Sequence, residues 1–356
     1  MVVVKAEGCP APRGYGLMRR LASFLVVAAC TTEPDAPSEA EPDGASTTLL
    51  ESTEASTGQP SSSSSDASGS ESVGAARLDV PDTTGDGEPG CRKIDFLFVI
   101  DNSSSMADEQ QRLIEGFPGF IAAVQETIRE FDHHVMVITP EPETMSYDPC
   151  DNLLGTGRVR DSEGNDCGLL DDFLHGKRYI DETHDDLEGA FSCVADVGIE
   201  GGGDEKVVWA LADAITEHNG PGLCNEGFRR DDAILVVTII SDEEDNPNDG
   251  PPAGDTDLNS PGGPDLWREG LVEAAHGNDE AVVVLALVGD PDLSDGLCEP
   301  YEGSGTGAEP GKRLRRLAES LPYGSWASVC QDDYAPFFNE AIADIDSACA
   351  NFVPPG

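Results

Sequence analysis

The chain has 356 residues, with 21 Lys+Arg against 69 Asp+Glu and a formal net charge of −48. Such a balance excludes a sequence-independent grip on nucleic acid, which needs bases to replace phosphate counterions, and excludes docking by charge on an anionic lipid surface. A hydrophobic content of 38% is nevertheless too high for a wholly disordered chain, so a folded acidic domain with a real core is expected.

Taken from the N-terminus, residues 18–30 read MRRLASFLVVAAC. A basic pair, Arg19 and Arg20, precedes an apolar run and then Cys30, the layout of a secretory signal. The run Leu21–Ala29 is about half of what a bilayer span requires. Val27-Ala28-Ala29-Cys30 resembles a bacterial lipobox, which implies a signal peptide over 1–29, Met18 as an alternative start, and a lipid on Cys30. Residues 30–90 follow as a tether of Ser, Thr, Ala, Gly, Pro and acids, including the run Ser61–Ser65. They hold too little apolar surface to offset the entropy of ordering, and such a segment spans roughly 40 Å on average. The leader has four bases and one acid and the tether one base and 13 acids, which leaves 16 bases against 55 acids in residues 91–356. The folded part is itself acidic.

Residues 91–356 alternate apolar runs with helical periods. KIDFLFVID (93–101) reads as a strand buried on both faces. A helical period follows through Leu113, Phe117, Phe120, Ile121, Val124, Ile128 and Phe131, with a kink or restart expected at Pro118-Gly119. HVMVIT (134–139) is a second strand and Val207–Ile215 an amphipathic helix. Two further strands are expected at 233–241 (AILVVTIIS) and 281–289 (AVVVLALVG), with a helix near 265–275 between them. Helices at 312–320 and 335–349 close the chain. Alternation of this kind predicts an α/β fold, a Rossmann-like, doubly wound, mostly parallel sheet flanked by helices.

Eight cysteines lie in the domain, at 91, 150, 167, 193, 224, 298, 330 and 349. They form no CxxC pair and have no histidine at zinc spacing, so an even count in an exported chain favours disulfides. Cys91 and Cys349 bracket the domain and are expected to bridge. For the others the simplest set joins sequence neighbours: Cys150 with Cys167, Cys193 with Cys224, Cys298 with Cys330.

The loop after the first strand carries the chemistry. It reads Asp101-Asn102-Ser103-Ser104-Ser105-Met106, at the carboxyl end of a strand, where open α/β sheets bind ligands. Asp101, Ser103 and Ser105 can aim one carboxylate and two hydroxyls at one point, a donor set for a hard divalent cation. The strand at 233–241 also ends in acid, Asp242-Glu243-Glu244-Asp245. Asp242 faces the same crevice if the two strands are neighbours.

These residues resemble the von Willebrand factor type A domain and its metal-ion-dependent adhesion site, whose signature is D-x-S-x-S with a Thr and a second Asp from later loops. The resemblance covers about residues 91–350. It implies Mg²⁺ (Ca²⁺ or Mn²⁺ as alternatives) on Asp101, Ser103, Ser105 and Asp242, with a partner's acidic side chain often completing the shell. One element departs from the pattern. The loop expected to supply the Thr reads Gly201-Gly202-Gly203-Asp204-Glu205-Lys206, and Glu205 falls nearest the Thr position. Two readings stand: Glu205 joins the metal directly or through water, adding negative charge that weakens the pull on an acidic partner, or the glycines make a plain turn with Asp204 capping the following helix. The function this implies is non-enzymatic: a lipid-anchored, metal-dependent protein-binding or adhesion module of the bacterial envelope, the outer membrane favoured over the inner because Thr31 follows Cys30, with an unidentified protein or surface ligand and no nucleic acid. The alternatives are a metal-assisted hydrolase with Glu243 or Glu244 as base, and a structural envelope protein whose metal is incidental.

Overall fold

The computed structural model describes residues 90–112, 119, 131–143, 146–170, 176–202, 205–245, 260–301 and 307–355. The leader, Cys30, the tether, most of the helix with Pro118, Asp204 and the interior of the 245–265 insertion lie outside these. So the expectations attached to them are not addressed by the structure.

Six strands form one sheet: β1 Lys93–Ile100, β2 Asp132–Ile138, β3 Ile180–Asp181, β4 Ile234–Ser241, β5 Val282–Val288 and β6 Tyr323–Ser328. Their order is β3-β2-β1-β4-β5-β6. All neighbours are parallel except β3, which runs antiparallel to β2. β1, β4 and β5 read as unbroken apolar runs because both of their faces are covered; only Lys93, at the start of β1, is part-exposed. Five labelled helices accompany them: α1 Leu187–Ala195, α2 Val207–Ile215, α3 Pro264–Ala274, α4 Lys312–Glu319 and α5 Ala335–Asn351. α2 packs on β1 and β2, while α4 and α5 pack on β5 and β6. The chain leaves β1 toward β2 on one side and returns through β4, β5 and β6 on the other. Right-handed crossovers taken in opposite directions put helices on opposite faces, which is the doubly wound arrangement expected. The order reverses at β1, so the crevice opens between the carboxyl ends of β1 and its neighbours.

Four disulfides staple the domain. Cys91–Cys349 joins its ends, as expected, and Cys298–Cys330 is also as expected. The other two correct the sequence-neighbour pairing: Cys150 bonds Cys224, and Cys167 bonds Cys193. The cause is the path of the loop after β2. Asn225 ties that loop to the segment after α2, accepting from Gly157 N (3.0 Å) and donating to Gly155 O (2.8 Å). His218 Nε2 meets Leu154 O at 2.8 Å in the same seam. Cys150 is thereby laid beside Cys224, and Cys167 is left to the α1 cysteine. Four disulfides are the mark of an oxidising compartment, as in exported proteins. Among the described residues no helix is long and apolar enough to cross a membrane.

Candidate metal centre

β1 and β4 are neighbours, with Ile100 opposite Ile240, so the condition for uniting Asp101 with Asp242 is met. Asp101 N donates to Ile240 O at 3.0 Å, and Ser241 Oγ donates to Asp101 Oδ2 at 2.6 Å. The turn then folds on its own acid: Ser103 N donates to Asp101 Oδ1 at 2.8 Å. Gln110, on the helix that follows, donates to the Asp101 carbonyl at 2.9 Å and anchors the turn from behind. Ser103 and Ser105 share a hydroxyl contact of 2.9 Å, and Ser105 Oγ reaches Asp242 Oδ1 at 3.4 Å. The structure therefore brings Asp101, Ser103, Ser105 and Asp242 into one buried cluster.

Glu243 belongs to it as well. One oxygen from each of Asp101, Asp242 and Glu243 lies within 4.8 Å of the other two, in the arrangement of a cation site. Sequence reasoning put Glu243 forward only as a base, because a run of four acids after a strand does not show which of them turns inward. Its companion Glu244 has another task. Its carboxylate accepts from Arg313 N at 2.7 Å and so caps the start of α4.

Glu205 arrives by a separate route. Gly201 forms a parallel bridge with Ser103, and its N–H donates to Asn102 O at 2.8 Å. A Cβ at Gly201 would stand 2.7 Å from that carbonyl oxygen, so the close approach requires glycine. Next in line, Gly202 N donates to Glu141 Oε2 at 2.8 Å. Glu205, only 1% exposed, stands within electrostatic reach of Asp101, Glu243 and Asp242 but is not one of the three acids whose oxygens lie within 4.8 Å of one another. The α2 start behind it is capped from outside its own loop. Asp245 Oδ2 accepts from Val208 N at 2.8 Å and Ser260 Oγ from Trp209 N at 2.7 Å. Asp245 and Ser260 thus both serve the first turn of α2; Asp204, which one sequence reading made the cap, lies outside the described residues.

The electrostatics of the cluster are one-sided. Burial pushes Asp101 up to about 6 against hydrogen bonds from Ser241 and Ser103, and burial reinforced by neighbouring carboxylates pushes Asp242 to about 8 and Glu205 to about 12. Burial and Asp101 raise Glu243 to about 7, against a hydrogen bond from Ser103. Both Glu205 oxygens, Asp242 Oδ2 and Glu243 Oε2 are buried with no hydrogen-bond partner among the described residues. A buried carboxylate oxygen left bare costs the full desolvation of that group. One oxygen each of Asp101, Asp242 and Glu243 converges on one spot, and with the Ser103 and Ser105 hydroxyls beside them these are the donors that hard divalent ions take.

No family model matches the chain, and no curated protein does. Among solved structures, proximal thread matrix protein 1 from the mussel byssus is similar at 13% identity and a TM-score of 0.34, over 74% of this chain and 49% of that one. The pilus adhesin SpaC from Lactobacillus rhamnosus GG, in its open conformation, is similar at 13% identity and a TM-score of 0.38, over 73% of this chain and 31% of that one. The chain thus spans about half the length of the first and about a third of the second.

Proposed function

We propose that residues 91–356 are a divalent-cation-dependent binding module of the von Willebrand type A kind, non-enzymatic, carried on the envelope by a lipid at Cys30 and the acidic tether. The observation that carries this reading is the convergence of Asp101, Asp242 and Glu243 at the switch point of the sheet, with a bare, buried oxygen on Asp242 and on Glu243. Asp101, Asp242 and Glu243 would hold the ion, with the Ser103 and Ser105 hydroxyls as neutral donors and Glu205 as a further acid. When bound, Mg²⁺ or a like ion offers an open coordination position to an oxygen of the partner.

Glu205 sets the character of that offer. With all four acids ionised the site would carry two negative charges more than one divalent ion cancels. An acidic partner side chain is then received only while Glu205 or Glu243 keeps its proton; a carbonyl or hydroxyl oxygen is received without that condition. The first test is thermal. An ion that binds only the folded state stabilises it by about 2.7 kcal/mol at a hundred times its dissociation constant. For a domain of this size that raises the melting temperature by roughly 5–10 °C. Mg²⁺ against a chelator should show such a rise in the wild type and none in Asp101→Ala. An equal rise in both would sink the assignment.

A further inference from the structure

A second cluster stands at the opposite end of the sheet, where β2 begins and β3 ends. Asp132, His134 and Glu182 each place one ligand atom within 4.8 Å of the other two. Asp132 and His134 are two apart on β2 and share a face, and His134 lies opposite Asp181 in the β2–β3 register, next to Glu182. His134 is only 8% exposed. Its Nδ1 sits 2.8 Å from the Phe228 carbonyl. A carbonyl oxygen can only accept, so Nδ1 bears the proton and Nε2 keeps its lone pair. Nothing among the described residues hydrogen-bonds to Nε2. The ring is clamped by Tyr179, with centroids 4.3 Å apart. One nitrogen on a carbonyl with the other left open is how metal-ligating histidines are held.

The carboxylates are available too. Glu182 is exposed, with Lys177 within electrostatic reach. Asp132 gives Oδ1 to Arg230 and retains Oδ2. Arg230 is shared with Asp95, whose Oδ1 accepts from Arg230 Nε at 2.8 Å.

We propose that Asp132, His134 and Glu182 form a second metal site, with one nitrogen and two oxygen donors, that takes a borderline divalent ion of the Zn²⁺ type. Imidazole favours Zn²⁺, Cu²⁺ or Ni²⁺ over Mg²⁺ and Ca²⁺, whereas the all-oxygen cluster at Asp101 has the reverse preference. Lys93, at the start of β1, pairs with Asp132, while Asp101 follows the end of β1. At about 3.3 Å per residue the two sites are roughly 26 Å apart, so they fill independently. Three protein donors leave a coordination position for water or a partner group, as in open zinc sites.

The test is calorimetric titration of Zn²⁺ into the full chain already saturated with Mg²⁺, wild type against Glu182→Gln. Glu182 is exposed, so this variant leaves the fold intact, which its unchanged melting temperature in Mg²⁺ would verify. The expected result is one Zn²⁺ per chain in the wild type and at least tenfold weaker binding in the variant. Co²⁺ in place of Zn²⁺ should perturb the His134 ring resonances in the NMR spectrum before those of the other histidines. No Zn²⁺ uptake by the Mg²⁺-loaded wild type, equal affinity in Glu182→Gln, or Co²⁺ that leaves His134 unperturbed would overturn the proposal.

Discussion

The domain buries carboxylates in two ways, and the contrast between the two ends of β1 explains what each is for. Near the start of β1, Asp95 is fully buried and accepts from Arg230 N at 2.7 Å, Arg230 Nε at 2.8 Å and Arg229 Nη1 at 3.2 Å. Burial still holds its pKa above the ordinary value, with both guanidiniums pulling against it. The loop after β2 repeats the solution: Arg178 donates to Asp148 at 2.8 Å, to Asp151, and to Gly157 O at 2.7 Å. Past the end of β1, Asp101, Asp242, Glu243 and Glu205 are as deeply buried, yet none is in a salt bridge among the described residues and several oxygens are bare. An arginine meets the buried Asp95 and Asp151, and none meets the four acids past the end of β1; on the proposed reading their charge is left for an ion from outside.

The largest expected effect breaks the structural half of this contrast. Asp95→Ala leaves the buried Arg229 guanidinium without a carboxylate and strips Arg230 of one of its two, and should cost about 3–5 kcal/mol, read as a lower urea midpoint with or without Mg²⁺. A loss that Mg²⁺ repairs would mean the two ends are not distinct. The same measurement on Asp242→Asn should give the opposite pattern. Without metal, removing one of four crowded acids leaves stability unchanged or higher, and the stabilisation by Mg²⁺, about 2–3 kcal/mol near a hundredfold excess over the dissociation constant, disappears.

pH sharpens the comparison. The folded-state pKa values of Asp101, Glu243 and Asp242 stand at about 6, 7 and 8, above the usual carboxylate range. Raised acids favour the folded state while protonated in it, so their contribution fades as pH rises from about 4 through 8, where only the unfolded chain ionises freely. The metal-free protein should therefore lose stability steadily between pH 5 and pH 8, and Mg²⁺ should flatten that slope. A metal-free urea midpoint that rises over this interval would contradict the reading. The smallest effect belongs to Glu205→Thr. It replaces a carboxyl that must give up its proton to face the ion with a neutral hydroxyl, so cation affinity should change only several-fold, about 1 kcal/mol, while the site persists; complete loss would make Glu205 the principal ligand.

Sequence alone reveals the parts of this fold that follow from burial. β1, β4 and β5 are covered on both faces and read as continuous apolar runs, and with β1 beside β4 the union of Asp101 and Asp242 follows from topology. β6, YGSWAS, is half-exposed and has no such run, and the two residues of β3 are too short to leave any. α1 did leave a signal, Asp186 capping a turn with Leu187, Phe191 and Val194 on one face, but nine residues between two loops are easily passed over. Glu243 and the Asp245–Ser260 cap could not be read, because they depend on how the backbone turns after β4 and on residues 15 apart across an insertion. The pairing of Cys150 with Cys224 depended likewise on a loop fold organised by Asn225.

Calorimetric titration of Mg²⁺, Ca²⁺ and Mn²⁺ into the full chain, wild type against Asp101→Ala, tests the central claim most directly. One saturable site for a hard divalent ion, absent in the variant, is the result predicted by bare carboxylates gathered at the end of β1. No such site in the wild type, or one indifferent to Asp101, would contradict it.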